Sequence, residues 1–106
     1  MNEYVQVYTT TETREDAGEI AKGIVAKRLA ACAQIQGPVE STFWWEGSLN
    51  TAEEWILVMK TRKDLLKDLE LRIKELHSYE VPEIIALPIS GGNPDYFRWL
   101  DSETGK

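Results

Sequence analysis

Apolar and polar positions alternate with a period of two over Tyr4-Val5-Gln6-Val7-Tyr8-Thr9, and the β-branched and aromatic content of this run predicts a first strand. The period then lengthens. Ala17, Ile20, Ala21, Ile24 and Val25 recur at helical spacing behind Thr13-Arg14-Glu15-Asp16, which reads as a capping box, so a helix is predicted through about Leu29. Ala31-Cys32-Ala33-Gln34-Ile35 starts a second strand. Gly37-Pro38 interrupts it, because proline cannot donate to a ladder, and it resumes from Val39 to Glu46 with a bulge or kink expected at the break. Gly47-Ser48-Leu49-Asn50 supplies a turn, and Trp55-Ile56-Leu57-Val58-Met59-Lys60-Thr61 reads as a nearly continuous apolar strand with a central place in its sheet. Together these make a long hairpin.

Thr61-Arg62-Lys63-Asp64 repeats the capping pattern ahead of Leu66, Leu69, Ile73 and Leu76, which predicts a second helix ending near His77. A strand over Pro82 to Ile89 follows. Gly91-Gly92 then breaks the chain, Asn93 and Pro94 suit the N-cap and first position of a short helix bearing Tyr96, Trp99 and Leu100, and the tail from Ser102 to Lys106 is expected to fray. The order strand, helix, strand, strand, helix, strand, with an additional C-terminal helix, is the βαββαβ pattern of a ferredoxin-like α+β sandwich. With 106 residues and no linker or repeat, residues 1–106 are read as one domain.

Composition changes this picture in two ways. Four tryptophans, four tyrosines and two phenylalanines are more aromatic surface than a core of this size hides, which makes oligomerisation an expectation. The net charge of −6 is the wrong sign for a phosphate-binding field and argues against a nucleic-acid partner. No apolar run approaches the ~20 residues that span a bilayer, and Met1-Asn2-Glu3 lacks the features of a signal peptide, so no membrane partner is expected. Cys32, the single cysteine, fits a reducing compartment, and the expected location is cytoplasmic.

Candidate chemistry is sparse. Borderline metal ions seek thiolate and imidazole, and the chain offers one of each, Cys32 and His77. Cys32 reads first as a small hydrophobe in an alanine-rich run, and His77 reads equally as a helix-end cation bonded to a carbonyl or carboxylate. His77 adjoins Tyr79 at the corner between the second helix and the last strand. No serine or cysteine sits in a nucleophile motif, no phosphate-binding glycine loop occurs, and Gly91-Gly92-Asn93-Pro94 is explained as a turn before a helix, so no enzymatic activity is expected. Acidic runs such as Glu53-Glu54 read as solvated surface.

Five segments carry a resemblance. Leu29-Ala30-Ala31-Cys32-Ala33, Trp45-Glu46-Gly47, Lys60-Thr61, Leu76-His77-Ser78-Tyr79-Glu80-Val81-Pro82-Glu83, and Tyr96 with Trp99-Leu100 resemble, in order and spacing, the signature segments of the CutA family of divalent-cation tolerance proteins. The resemblance implies a PII-like homotrimer built partly by strand pairing between ferredoxin-like subunits, and a role in tolerance of copper and other divalent metals. It implies an intersubunit cleft, for which Trp45, Lys60, His77, Tyr79 and Glu83 are the candidate residues here. The copper site proposed for some members uses a first-strand cysteine and two adjacent histidines before the tyrosine; this chain has Tyr8 and Leu76 at two of those positions and keeps His77. The expected ion is therefore copper or another divalent cation held weakly at His77 and Cys32, with no ion required for folding. Alternative readings are a PII-like regulatory trimer that binds a small molecule in the cleft, and a structural scaffold trimer. No protein partner other than a second copy of the chain is indicated.

Overall fold

A computed structural model describes residues 3–105. Strand β1 spans Tyr4–Thr11, helix α1 Arg14–Ala26, strand β2 Cys32–Trp45, strand β3 Ser48–Arg62, helix α2 Leu66–Leu76, strand β4 Ile85–Ile89 and helix α3 Pro94–Glu103; a 3-10 turn, Lys63–Leu65, joins β3 to α2. The strands form one sheet in the order β2-β3-β1-β4, and every pairing is antiparallel. The result is a mixed α+β fold with a four-stranded antiparallel sheet and three helices.

The period-two pattern of β1 sends Val5, Val7, Thr9 and Thr11 to one face, all buried. There they meet Ile20 and Ile24 of α1, Leu69 and Ile73 of α2, and Leu57 and Met59 of β3, which together form the core. Tyr4 points to the opposite face, where its ring stacks on Phe97 at 4.4 Å and its hydroxyl donates to Asp101 at 2.9 Å, so α3 covers one end of that second face. Ile85 and Leu87, directly across from Tyr8 and Gln6, remain half exposed.

The hairpin predicted from the sequence is present, and β3 is central, between β2 and β1. The ladder register shifts between Gln36 and Val39, at the expected Gly37-Pro38 break. The last β1–β3 pair is Thr11 with Trp55, so residues 39–54 extend past the sheet without a third strand and account for the 45 Å long axis. The turn is tighter than the predicted Gly47–Asn50. Glu46 and Gly47 alone form it, with φ of 49° and 79°, the two left-handed residues of a type I′ turn, and Ser48 already pairs with Trp45.

Other boundaries differ for identifiable reasons. Helix α1 stops at Ala26 because Arg28 takes φ 59°, and the amides of Arg28 and Leu29 bond back to Val25 and Ile24 in a Schellman closure. The second capping box does not form. Thr61 is a buried strand residue whose hydroxyl donates to the Leu29 carbonyl at 2.7 Å, Asp64 pairs with Arg62, and α2 starts at Leu66 without a side-chain cap. Strand β4 begins at Ile85 rather than Pro82, since residues 78–84 run as a connection from α2 back to the sheet. The expected Asn93 cap and Pro94 start of α3 are both found. Ser102 to Thr104 are not frayed: α3 continues through Glu103, and Thr104 is buried beneath Arg62. Lys106 lies outside the described residues.

Candidate functional site

His77 is the C-cap of α2. Its amide still bonds to Ile73 at 2.9 Å, but its own backbone is extended, which turns the chain toward the end of β1. The imidazole is held at both nitrogens. The Tyr79 amide, which can only donate, lies 3.0 Å from Nδ1, so Nδ1 accepts; Nε2 therefore carries the ring hydrogen and donates to the Thr10 carbonyl at 2.8 Å. That carbonyl lies beyond the last β1–β4 pair, Tyr8 with Ile85. The expected helix-end contact to a carbonyl is present. Nδ1 as acceptor, however, describes the Nε2–H tautomer rather than the cation that the helix dipole suggested.

Tyr79 continues the chain of bonds. Its ring lies 4.9 Å from that of His77, and its hydroxyl donates to Glu54 Oε2 at 2.6 Å. Glu54 is only 8% exposed although it borders the protruding hairpin. Burial, and then the bond to the Glu54 carboxylate, push the Tyr79 phenol well above the ordinary tyrosine range, with Glu12 and Asp16 adding to the same effect. The phenol is thus kept as a donor. Ser78 Oγ, between the two rings in sequence, reaches Asp16 of α1 at 3.4 Å.

The other sequence candidates lie elsewhere. Lys60 sits on the α3 face of the sheet, where its ammonium donates to Gln34 Oε1 at 2.7 Å, and Gln6 and Tyr8 bond to each other on the neighbouring strand. Cys32, paired in register with Lys60, has its sulfur 3.4 Å from the Tyr96 hydroxyl. Burial first, and the contact with Cys32 second, raise the Tyr96 phenol to about 12. Trp45 is at the hairpin tip, and Glu83 is exposed in the connection before β4. Of the five cleft candidates, the single chain brings together only His77 and Tyr79.

These positions bear on metal binding. Ligand nitrogens and sulfurs must lie about 2.0–2.3 Å from a shared ion, whereas His77 bonds at Thr10 and Cys32 lies level with Gln6, four residues along β1, at about 3.3 Å per residue. Both nitrogens of His77 are also committed. No group of three or more His, Cys, Asp or Glu side chains able to hold a metal ion occurs among the described residues. The described residues of the single chain therefore do not fit a copper site at His77 and Cys32. Sequence reasoning did not assign Thr10 and Asp16 to the site, since a backbone carbonyl leaves no trace in side-chain patterns; Glu54 could be named there only as a possible nearby charge, because Glu53-Glu54 reads mainly as solvated surface.

Comparisons with known proteins match the chain in sequence and in overall fold. The family described as CutA1 divalent ion tolerance protein matches residues 5–103. The divalent-cation tolerance protein CutA of Pyrococcus horikoshii is 42% identical over 100 residues, covering 94% of this chain and 97% of that one. The chloroplastic protein CutA 1 of Oryza sativa is 44% identical over 94% of this chain, which spans only 56% of that longer relative. The crystal structure of CutA1 from Oryza sativa superposes with a TM-score of 0.95 at 42% identity, covering 99% of this chain and 96% of that one. The structure titled periplasmic divalent cation tolerance protein CutA from Archaeoglobus fulgidus gives 0.92 at 37% identity, covering 95% and 98%.

Proposed function

The chain belongs to the CutA1 divalent ion tolerance family, and from that premise we propose that it acts in tolerance of copper and other divalent cations as a cytoplasmic homotrimer of ferredoxin-like subunits, without catalysing a reaction. The observation that carries the assembly is the overhanging hairpin. Phe43, Trp44, Trp45 and Leu49 are exposed at its tip, and because Trp44 faces Leu49 across the ladder while Phe43 and Trp45 point the other way, both of its surfaces are apolar. Burying one such side chain contributes roughly 1.5–3 kcal/mol, so a second copy that covers the hairpin gains several of these terms at once. The sheet also ends in two strand edges, β2 and β4, that suit pairing between subunits. Read from the other side, the strand order is β4-β1-β3-β2 with α1 and α2 on one face, which supports the ferredoxin-like reading.

Since one subunit lacks a ligand set at His77 and Cys32, ions would be met by residues of more than one subunit or by the acidic surface of a chain with net charge −6. The names of relatives mention both chloroplast and periplasm; the lone cysteine favours a reducing compartment for this chain. The test is the mass of the metal-stripped protein by light scattering, followed by calorimetric titration with Cu(II) and Zn(II). A trimer that takes up ions in a fixed ratio to trimer supports a direct role. A monomer overturns the assembly, and a trimer that ignores both ions shifts the reading to a PII-like module, with Trp45, Lys60 and Tyr79 meeting only between subunits.

A further inference from the structure

The loop that follows α2 ties three parts of the fold together at the point where the hairpin leaves the sheet. Glu54 is the first residue of β3 beyond the last β1 pair, and its partner Val39 is the first residue of β2 beyond the register shift. At this root the hairpin loses its third strand and gains the added twist of a bulge, so the ladder alone does not fix its direction. A carboxylate that is 8% exposed also requires a donor, and Tyr79 supplies one. Tyr79 is in turn held by its amide bond to His77 Nδ1, while His77 is held by the α2 backbone and by the Thr10 carbonyl near the end of β1. Ser78 adds a bond to Asp16 of α1.

We propose that His77 and Tyr79 form a clasp that sets the angle at which the β2–β3 hairpin leaves the sheet, which makes His77 a positioning residue for the surface the hairpin offers to a second copy of this chain. The offer to a second copy rests on the homotrimer reading above; the clasp itself does not. The charged groups around it are Glu54 from β3, Asp16 from α1 and Glu12 from the β1–α1 connection. An ion can take His77 only by displacing Thr10 or the Tyr79 amide. The clasp is therefore an alternative to a metal site at this residue.

The test compares hydrogen exchange by mass spectrometry in the intact wild-type chain, His77→Ala, His77→Asn, Tyr79→Phe and the His77→Ala/Tyr79→Phe double variant, with the mass of each sample checked by light scattering. Root amides at positions 36, 37, 39, 40 and 52–56 are expected to exchange about tenfold faster in His77→Ala and Tyr79→Phe, the factor carried by one hydrogen bond to a charged group. The double variant should exceed neither single one, because both break the same chain of bonds. His77→Asn, whose Oδ1 can accept the Tyr79 amide, should return the rate toward wild type. Core amides such as Val7 and Met59 should not move, which separates a local clasp from general loss of stability. Additive effects, an unchanged root, or equal acceleration in the core would overturn the proposal. A monomeric wild type would overturn the homotrimer reading, and the exchange pattern then decides the clasp alone.

Discussion

Arg62 and Thr104, 42 residues apart, meet under the end of α3: Nη1 of the 2%-exposed arginine donates to Thr104 Oγ1 at 3.3 Å. The other side of the guanidinium is gripped by Asp64, with Nε to Oδ1 at 2.8 Å and Nη2 to Oδ2 at 3.2 Å. One planar fork thus joins the end of β3, the 3-10 turn and the C-cap of α3.

Replacing that fork with an ammonium should release α3. Arg62→Lys cannot bridge Asp64 and Thr104 in the same geometry, and a cost of about 1–3 kcal/mol is expected, with the lower half favoured because Asp64 is well exposed. Limited proteolysis should then cleave after Leu100 at protease levels that leave wild type intact. Cleavage at equal rates in the two proteins would show that the latch contributes nothing to holding the helix.

Gly37 should not tolerate a side chain. Its φ of 154° lies at the edge of the region that suits glycine, and a Cβ there would come within 2.7 Å of the Trp55 ring and 3.3 Å of the Glu54 carbonyl. Gly37→Ala should cost about 1–3 kcal/mol, read as a lower urea midpoint with unchanged slope. Gly18, whose added Cβ would meet nothing within 4 Å, is the control: Gly18→Ala in α1 should stabilise by about 0.5–1 kcal/mol.

How far the sequence disclosed these features follows from their range. The bulge, the N-cap at Asn93 and the central place of β3 are local consequences of Gly37-Pro38, Asn93-Pro94 and an unbroken apolar run, and they were legible. The failed cap at Thr61 and the ordered Ser102–Thr104 were not, because each is decided by a partner far along the chain: Leu29 for Thr61, Arg62 for Thr104. His77 and Tyr79 stood out as a pair, yet the bonds that define their site end on the Thr10 carbonyl and on Glu54.

Alkaline pH should weaken the fold through two phenols. Both are raised in the folded state, so between the ordinary value of about 10 and the raised one the native state holds protons that the unfolded chain has lost. Their contribution is complete below pH 10 and falls as pH rises, to about 12 for Tyr96 and beyond that for Tyr79. Urea midpoints measured from pH 8 to 11 should decline in wild type and decline less steeply in Tyr79→Phe and Tyr96→Phe. Parallel slopes in all three proteins would exclude these phenols as the cause.

The hairpin tip gives the most direct test of assembly. Trp44 is 72% exposed and Leu49, its partner across the ladder, 62%. If a second copy covers this pair, Trp44→Lys removes a contact of roughly 2–3 kcal/mol and adds a charge to an apolar contact surface, whereas the core of the subunit, built on α1, α2 and β1, is untouched. Light scattering at micromolar concentration should then find dissociated subunits with an unchanged far-ultraviolet circular dichroism spectrum. The unfolding midpoint of wild type should rise with protein concentration, since dissociation and unfolding are then linked, and that dependence should vanish in the variant. A variant that keeps the wild-type mass would place the contact between copies away from Trp44, on the half-exposed sheet face around Ile85 and Leu87.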